Sequence, residues 1–467
     1  MASLALGLWG ITRAGSMWRD ESVTYQVSHR SLPEILDLLH NADAVHGLYY
    51  ICMHALFSVW EGGLPALRLP SVLATSLTAG LVGITALRLT ARPAAGLLSG
   101  LAFAVIPEVQ MYAQEGRSYA MVSALVAFAT FLLVTLMEHT SRIRWLLYGI
   151  SVLAASMLHE FAILTLLAHG IALHRSQPVG RARRSFVVSA LGVLTGLLPL
   201  VLYSMSQSGQ VSWIGGPKLR EWLEIVGVAL IASLCAAYLS RPGRSAGVAR
   251  LALPLVVVPT AALLAAGAYE HMYVDRYVLY TNIGLALLVG TALDYLAEHS
   301  KKVTLVRSQK ARALSVVILG TAFIAAMLPV TLQMRTPDSR KDDVAAIARE
   351  VERMSQRGDA VLFAPARRRE WMLSYPHRFG GLTDVALKDR PNTSGTLQGV
   401  ELPSADLQQR LARFERIIVL SDPQGEPVDM DAQEASKREI LERDFIECRR
   451  KKIKGGQVTL YARTDSC

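Results

Sequence analysis

Long apolar runs alternate with short polar breaks up to about Leu332, after which the chain becomes charged and mixed. A helix needs about 20 apolar residues to cross a bilayer, with about 17 as a working minimum. Residues 121–137, 187–203, 222–240, 251–269, 278–296 and 313–332 meet that length. Residues 70–89, 94–109, 145–158 and 161–173 are shorter or more broken and still read as spans. The opening MASLALGLWGI covers only about half a membrane if helical, so a first span must continue through Arg13 towards Trp18 or begin upstream of Met1. No basic region precedes it, so it does not read as a cleavable signal. The pattern predicts an all-α polytopic membrane region of about 11 spans.

Two stretches near the start break the pattern. Ser31-Leu-Pro-Glu34 is a capping box, and Leu32, Ile35, Leu36 and Leu39 form one apolar stripe behind it. A short helix with one greasy face lies on a membrane surface. Residues 47–60 are too short to span comfortably and contain His54, which predicts a second interfacial or re-entrant helix. The tail has α/β punctuation. Residues 342–354 have helical apolar spacing, AVLF and RIIVLSD read as strands, DAQEASKREILERDF as a helix and QVTLYAR as a last strand. Pro391 to Gly395 reads as a loop. The expected division is a membrane region over 1–334, with 13–67 as its first outer loop, and an α/β domain over 335–467.

Apolar residues make up 52% of the chain and charged residues 18%, too greasy for an ordinary cytosolic enzyme. The net charge of +10 invites a nucleic-acid partner, but its placement argues for a membrane topology instead. Arg88 and Arg92, Arg142 and Arg144, Arg175 to Arg184, Arg241 to Arg250, and Lys301 to Arg312 fall in every second loop. That is the positive-inside pattern, so the alternate loops and the tail from Arg335 are expected outside the cytoplasm. Cys52 and Cys235 lie in apolar stretches and read as small core residues, while Cys448 and Cys467 could pair in an oxidising compartment.

The polar residues left over gather on the outer side. Asp20 and Glu21 follow the first apolar segment, where an acid near hydrocarbon is costly unless it faces a cavity or does a job. A carboxylate beside a hydroxyl can serve as a general base; a solvated loop pair is the plainer alternative. His46 with Tyr49 and Tyr50 opens an apolar helix, either as a polar ligand or as an aromatic belt. Glu115 and Arg117 sit in an outer hairpin, where the arginine fork could grip a phosphate or simply pair with Glu115. His159 and Arg276 mark two further outer helix ends. Singly each reads as an interface residue; as a set on one side they suit transfer from a lipid phosphate.

The chain resembles the polytopic glycosyltransferases of the GT-C superfamily, in particular the family 39-like mannosyltransferases and their actinobacterial relatives. The resemblance rests on MWRDES, DAVHGLYY, ALRLPSVLA, YAQEGRSYAM, HEFAILTLLAH and DRYVLY, with GDAVLF and VTLYAR in the tail. It implies a GT-C membrane domain with interfacial helices and an extracytoplasmic α/β domain. It implies an inverting transfer of a sugar, mannose first, from a polyprenyl-phosphate donor to a hydroxyl of a glycan, lipid or protein, in a multi-pass protein of the cell membrane and without nucleic acid. Asp20 would be the catalytic base, with Glu21 beside it. His46, Glu115, Arg117, Tyr119, His159 and Arg276 would bind the donor, Glu115 orienting Arg117. Where the family often has His-Pro-Pro, this chain has His46-Gly47-Leu48. Some relatives use a divalent metal such as Mg or Mn, and Asp20, Glu21 and His46 could bind one. The alternative is a lipid or sugar transporter or flippase, which usually shows internal repeats and helices broken near the midplane; no repeat is evident here.

Overall fold

The computed structural model describes residues 1–176, 180–207, 215–267, 271–303, 325, 327–426, 431–463 and 467. These form two compact units, one of Met1–Trp9, Ala44–Tyr49 and Arg68–Leu332, the other of Gly10–Asp43, Tyr50–Leu67 and Gln333–Cys467.

The first unit is helical. Among the described residues six helices are long and apolar enough to cross a membrane: Gly63–Thr90, Tyr119–Glu138, Gly180–Met205, Leu219–Leu239, Ala246–Ala266 and Asp275–His299. A seventh candidate is the pair Pro93–Val105 and Pro107–Ala113, bent by 66° where Pro107 cannot continue the backbone hydrogen bonding. The expected span at 145–158 is the 17-residue helix Arg142–Leu158. The one at 161–173 is a 3₁₀ turn, Glu160–Leu164, leading into Thr165–Arg175. The span over 313–332, like the basic loop before it, lies largely outside the described residues. The chain is a multi-pass membrane protein.

Lipid offers apolar side chains no reason to leave it, so helices hold together by close packing at small residues. Gly96 and Gly100, one turn apart, do this against the helix Gly63–Thr90. A Cβ added at either would come within 2.9 Å of the Gly83 or Ala79 carbonyl oxygen. Gly290 presses on Ser99 closely enough that a Cβ would lie 2.3 Å from its backbone.

The opening helix runs over Ala2–Leu8 and does not extend to Trp18. Arg13 and Ala14 take φ of 43° and 55°, a left-handed turn no helix can pass through. The helix Gly47–Val59 has 13 residues, roughly 20 Å at 1.5 Å per residue, too short for about 30 Å of hydrocarbon.

The second unit is built on a five-stranded sheet. Its strands are β1 (Ala360–Ala364), β2 (Thr383–Asp384), β5 (Arg416–Ser421), β6 (Ile446–Ile453) and β7 (Gly456–Ala462), in the order β2-β1-β5-β7-β6. β1 lies parallel to β2 and β5, whereas β7 is antiparallel to both neighbours. A separate ribbon pairs β3 (Leu387–Asp389) with β4 (Val400–Glu401). Alternation on β1 and β5 makes two cores. Val361, Phe363, Ile418 and Leu420 face the helix Val344–Met354, and Ala360, Leu362, Ile417 and Val419 pack with Leu407, Leu411, Ile440 and Leu441. Strands covered on both faces read as continuous apolar runs, which is why AVLF and IIVL stood out. β6, with Arg449, Arg450, Lys451 and Lys452, is an edge strand whose like charges discourage a further strand from adding. Cys448 on β6 is disulfide-bonded to Cys467.

The loop after the opening helix belongs to this second unit by its contacts, although the sequence groups it with the membrane spans. Its helix Leu32–Asn41 carries the expected capping box, Glu34 accepting from the Ser31 backbone N–H at 2.8 Å. Ile35 and Leu38 are buried while Leu32 and Leu36 stay exposed.

Candidate functional site

In the membrane unit, residues 114–118 form a break between Pro107–Ala113 and Tyr119–Glu138. Backbone groups of a broken helix need partners inside a membrane protein. Ser71 Oγ, from the ALRLPSVLA segment, donates to the carbonyls of Glu115 at 2.6 Å and Arg117 at 3.2 Å. Ser118 Oγ donates to the Leu158 carbonyl at 2.9 Å, and Gln114 Nε2 to those of Gly7 and Trp9 at 2.8 and 2.6 Å. The loop that presents Arg117 is therefore pinned on three sides.

Arg117 is buried, and its Nη2 lies 2.6 Å from His46 Nε2. A guanidinium only donates, so His46 Nε2 must accept and the ring's proton must sit on Nδ1. The imidazole is then neutral. Burial, followed by Arg117, His159 and Arg276, holds its pKa well below the ordinary value. His159 is pushed down to about 3, by burial first and then by Arg117 and Arg276. Arg276, also buried, donates from Nε to the Tyr119 hydroxyl at 3.1 Å. The Tyr277 ring lies tilted against His159, with ring centroids 4.5 Å apart. Burial and the two arginines together keep both imidazoles neutral, and the buried cationic cluster is electrostatically suited to an anion. Of the sequence candidates, His46, Arg117, Tyr119, His159 and Arg276 are joined by these contacts. Glu115 is buried beside them, with its carbonyl held by Ser71.

Asp20 and Glu21 lie in the second unit, in the first turn of the helix Arg19–Ser28. Neighbours on a helix point about 100° apart, and these two differ accordingly. Glu21 is wholly buried against Arg13, Oε2 to Nη2 2.5 Å. Asp20 is partly exposed. The loop in front of it is fixed to the tail: Asp342 Oδ1 accepts from the Arg19 backbone N–H at 2.8 Å, and Tyr375 Oη from that of Met17 at 3.2 Å. Ser16 Oγ donates to Asp343 at 2.7 Å, and the Val344 N–H to the Met17 carbonyl at 3.2 Å. The Arg19 side chain stands 2.9 Å from Glu370, an ion pair without hydrogen-bond alignment. Burial raises Glu370 to about 8, with Arg19 and Arg368 pulling the other way. It raises Asp342 to about 6 against the Arg19 N–H. No local signal points to Asp342, Glu370 or Tyr375, which stand more than 300 positions from Asp20. Among the described residues no group of three or more His, Cys, Asp and Glu side chains is placed to hold a metal ion, and Asp20, Glu21 and His46 do not form one.

No protein-family profile and no curated protein matches the chain. Solved structures do. ArnT from Cupriavidus metallidurans in the apo state aligns with a TM-score of 0.61 at 12% identity, covering 98% of this chain and 96% of that one. The same protein bound to undecaprenyl phosphate gives 0.58 over the same shares and at the same identity. The oligosaccharyltransferase AglB from Archaeoglobus fulgidus, in complex with an inhibitory peptide and a dolichol-phosphate, gives 0.53 at 9% identity over 99% and 74% of the two chains. Both are GT-C fold glycosyltransferases, and the likeness shows the GT-C fold in this chain.

Proposed function

We propose that the protein is a membrane glycosyltransferase that moves a sugar, mannose on the resemblance, from a polyprenyl-phosphate donor to an acceptor hydroxyl on the outer face of the membrane, with inversion. The observation that carries this is the Arg117–His46 pair with Arg276, a buried cationic set whose histidines are held neutral. Neighbours of this fold solved with undecaprenyl phosphate and with dolichol-phosphate support the donor class. They do not favour the transporter reading.

Asp20 takes the proton of the acceptor hydroxyl as that oxygen attacks the anomeric carbon. The bond from that carbon to the phosphate oxygen breaks, and polyprenyl phosphate leaves with the electron pair. Arg117 and Arg276 meet its charge, a fixed electrostatic role that needs no reorganisation during reaction. His46 holds the Arg117 fork by accepting from Nη2, and Glu115 keeps the hairpin in place. Glu21 serves Arg13 and stands behind the reaction. The test is incubation of purified protein with radiolabelled polyprenyl-phosphate mannose and a membrane extract. A labelled product that requires Asp20 supports the reading; donor binding without any transfer, across extracts that contain candidate acceptors, opposes it.

A further inference from the structure

Within the unit that carries Asp20, a cavity of about 740 Å³ opens between the helix Arg19–Ser28 and residues 369–392. Its walls combine the rings of Tyr25 and Tyr375 with Arg30, Arg390, His29 and His377. Among the described residues no aspartate or glutamate lines it. Arg369 also reaches the wall, but Asp384 and Glu401 neutralise it at 2.5 and 2.7 Å.

Among the described residues no carboxylate forms an ion pair with Arg30. It is 6% exposed, its Nη1 donates to the carbonyls of Thr396 at 2.9 Å and Pro391 at 3.4 Å, and its buried Nη2 makes no hydrogen bond. Carbonyl dipoles do not cancel a unit charge, and a buried donor left unmatched is costly. Burial accordingly pulls the Arg30 pKa down, with Glu34 and Tyr50 acting the other way. A water would satisfy the N–H and leave the charge. An anion would satisfy both.

We propose that this cavity binds the acceptor, and that the acceptor is a sugar carrying an anionic group, phosphate or carboxylate, gripped by Arg30 and Arg390. The rings of Tyr25 and Tyr375 on its wall offer apolar surface of the kind a sugar packs on. The Tyr375 hydroxyl is already engaged by the Gly15 carbonyl and the Met17 N–H, which fixes its ring. Only the word acceptor rests on the glycosyltransferase reading; the anion site stands on its own residues.

The experiment is calorimetric titration of the full chain in zwitterionic nanodiscs with glucose 6-phosphate, glucuronate and glucose, repeated in an Arg117→Ala background to set aside the other cationic set. Glucose 6-phosphate or glucuronate should bind at least roughly tenfold more tightly than glucose, the stronger of the two identifying the anion. Arg390→Gln, at an exposed position that leaves folding intact, should lose most of that preference. Arg30→Gln with Arg390→Gln should abolish it. Equal binding of all three sugars, or an undiminished preference in Arg390→Gln, overturns the proposal. Charge-dependent binding without sugar transfer from any lipid donor would leave the cavity assigned and the transferase reading refuted.

Discussion

Asp20 and Glu21 are chain neighbours with opposite environments, and substitution should separate them. Glu21→Gln removes the carboxylate charge from the buried Arg13 pair, a kind of loss that costs about 3–5 kcal/mol and should appear as a lower melting temperature and poor recovery of folded protein. Asp20→Asn should fold normally, bind donor as the parent does and lose roughly 10²-fold or more in turnover. Near-normal transfer by a folded Asp20→Asn protein would end its assignment as base. Arg117 presents a planar fork that lysine cannot copy. Arg117→Lys should therefore weaken donor binding by roughly tenfold and Arg117→Ala by more, measured by lipid-phosphate sugar titration; unchanged binding in both would move the phosphate site towards Arg276. At this scale the sequence exposes the acid pair and the outer arginines, because charge beside apolar runs is conspicuous. It hides which acid is sequestered, since that depends on Arg13 folding back across a left-handed turn. It also hides Ser71, an ordinary serine whose role is to hold two carbonyls of the Arg117 loop.

The segment Met17–Ser22 is held by the tail more than by its own helix. Tyr375→Phe removes the acceptor for the Met17 N–H, and Asp342→Asn weakens the one for Arg19. If these bonds position Asp20, both variants should lower kcat several-fold with little change in donor KM, and the sensitivity should vanish in the Asp20→Asn background. A fall in folded yield with kcat intact would make the contacts structural only. Acidity supplies a second test. Glu370 titrates near 8 and Asp342 near 6 in the folded chain, above ordinary carboxylate values of about 4. The folded state thus binds more protons than the unfolded state across pH 4–8, so stability contributed by this pair is highest below about pH 4 and declines as pH rises towards 8. Glu370→Gln should flatten that decline, read as melting temperature against pH; an unchanged slope would contradict the assignment. The tail strands were legible because both faces are buried. The basic edge strand β6 and the helix Ser404–Leu411 carried no comparable apolar signature.

Across the molecule, the apolar stretches mark where the described helices lie, but of the expected 11 or so spans six helices, or seven with the bent pair, are long and apolar enough to cross a membrane among the described residues. Membership of the loop 10–43 in the tail's unit was not legible, because it depends on contacts more than 300 residues apart in sequence. The orientation is open to direct labelling in a background lacking the native cysteines. Ser31→Cys and Thr393→Cys, both exposed, should react with an impermeant thiol reagent on intact cells, and Thr140→Cys should be protected. Protection of Ser31→Cys would place Asp20 on the cytoplasmic side and undo the outward site. The central claim is bond breaking at a lipid-linked sugar, and sided proteoliposomes loaded with a polyprenyl-phosphate sugar, labelled in both its lipid and its sugar, measure it most directly. With membrane extract outside, the account predicts that the sugar label leaves the lipid label and enters a new product, and that Asp20→Asn abolishes this. Movement of both labels together across the bilayer, with the linkage intact and indifferent to Asp20, would contradict it and identify a transporter.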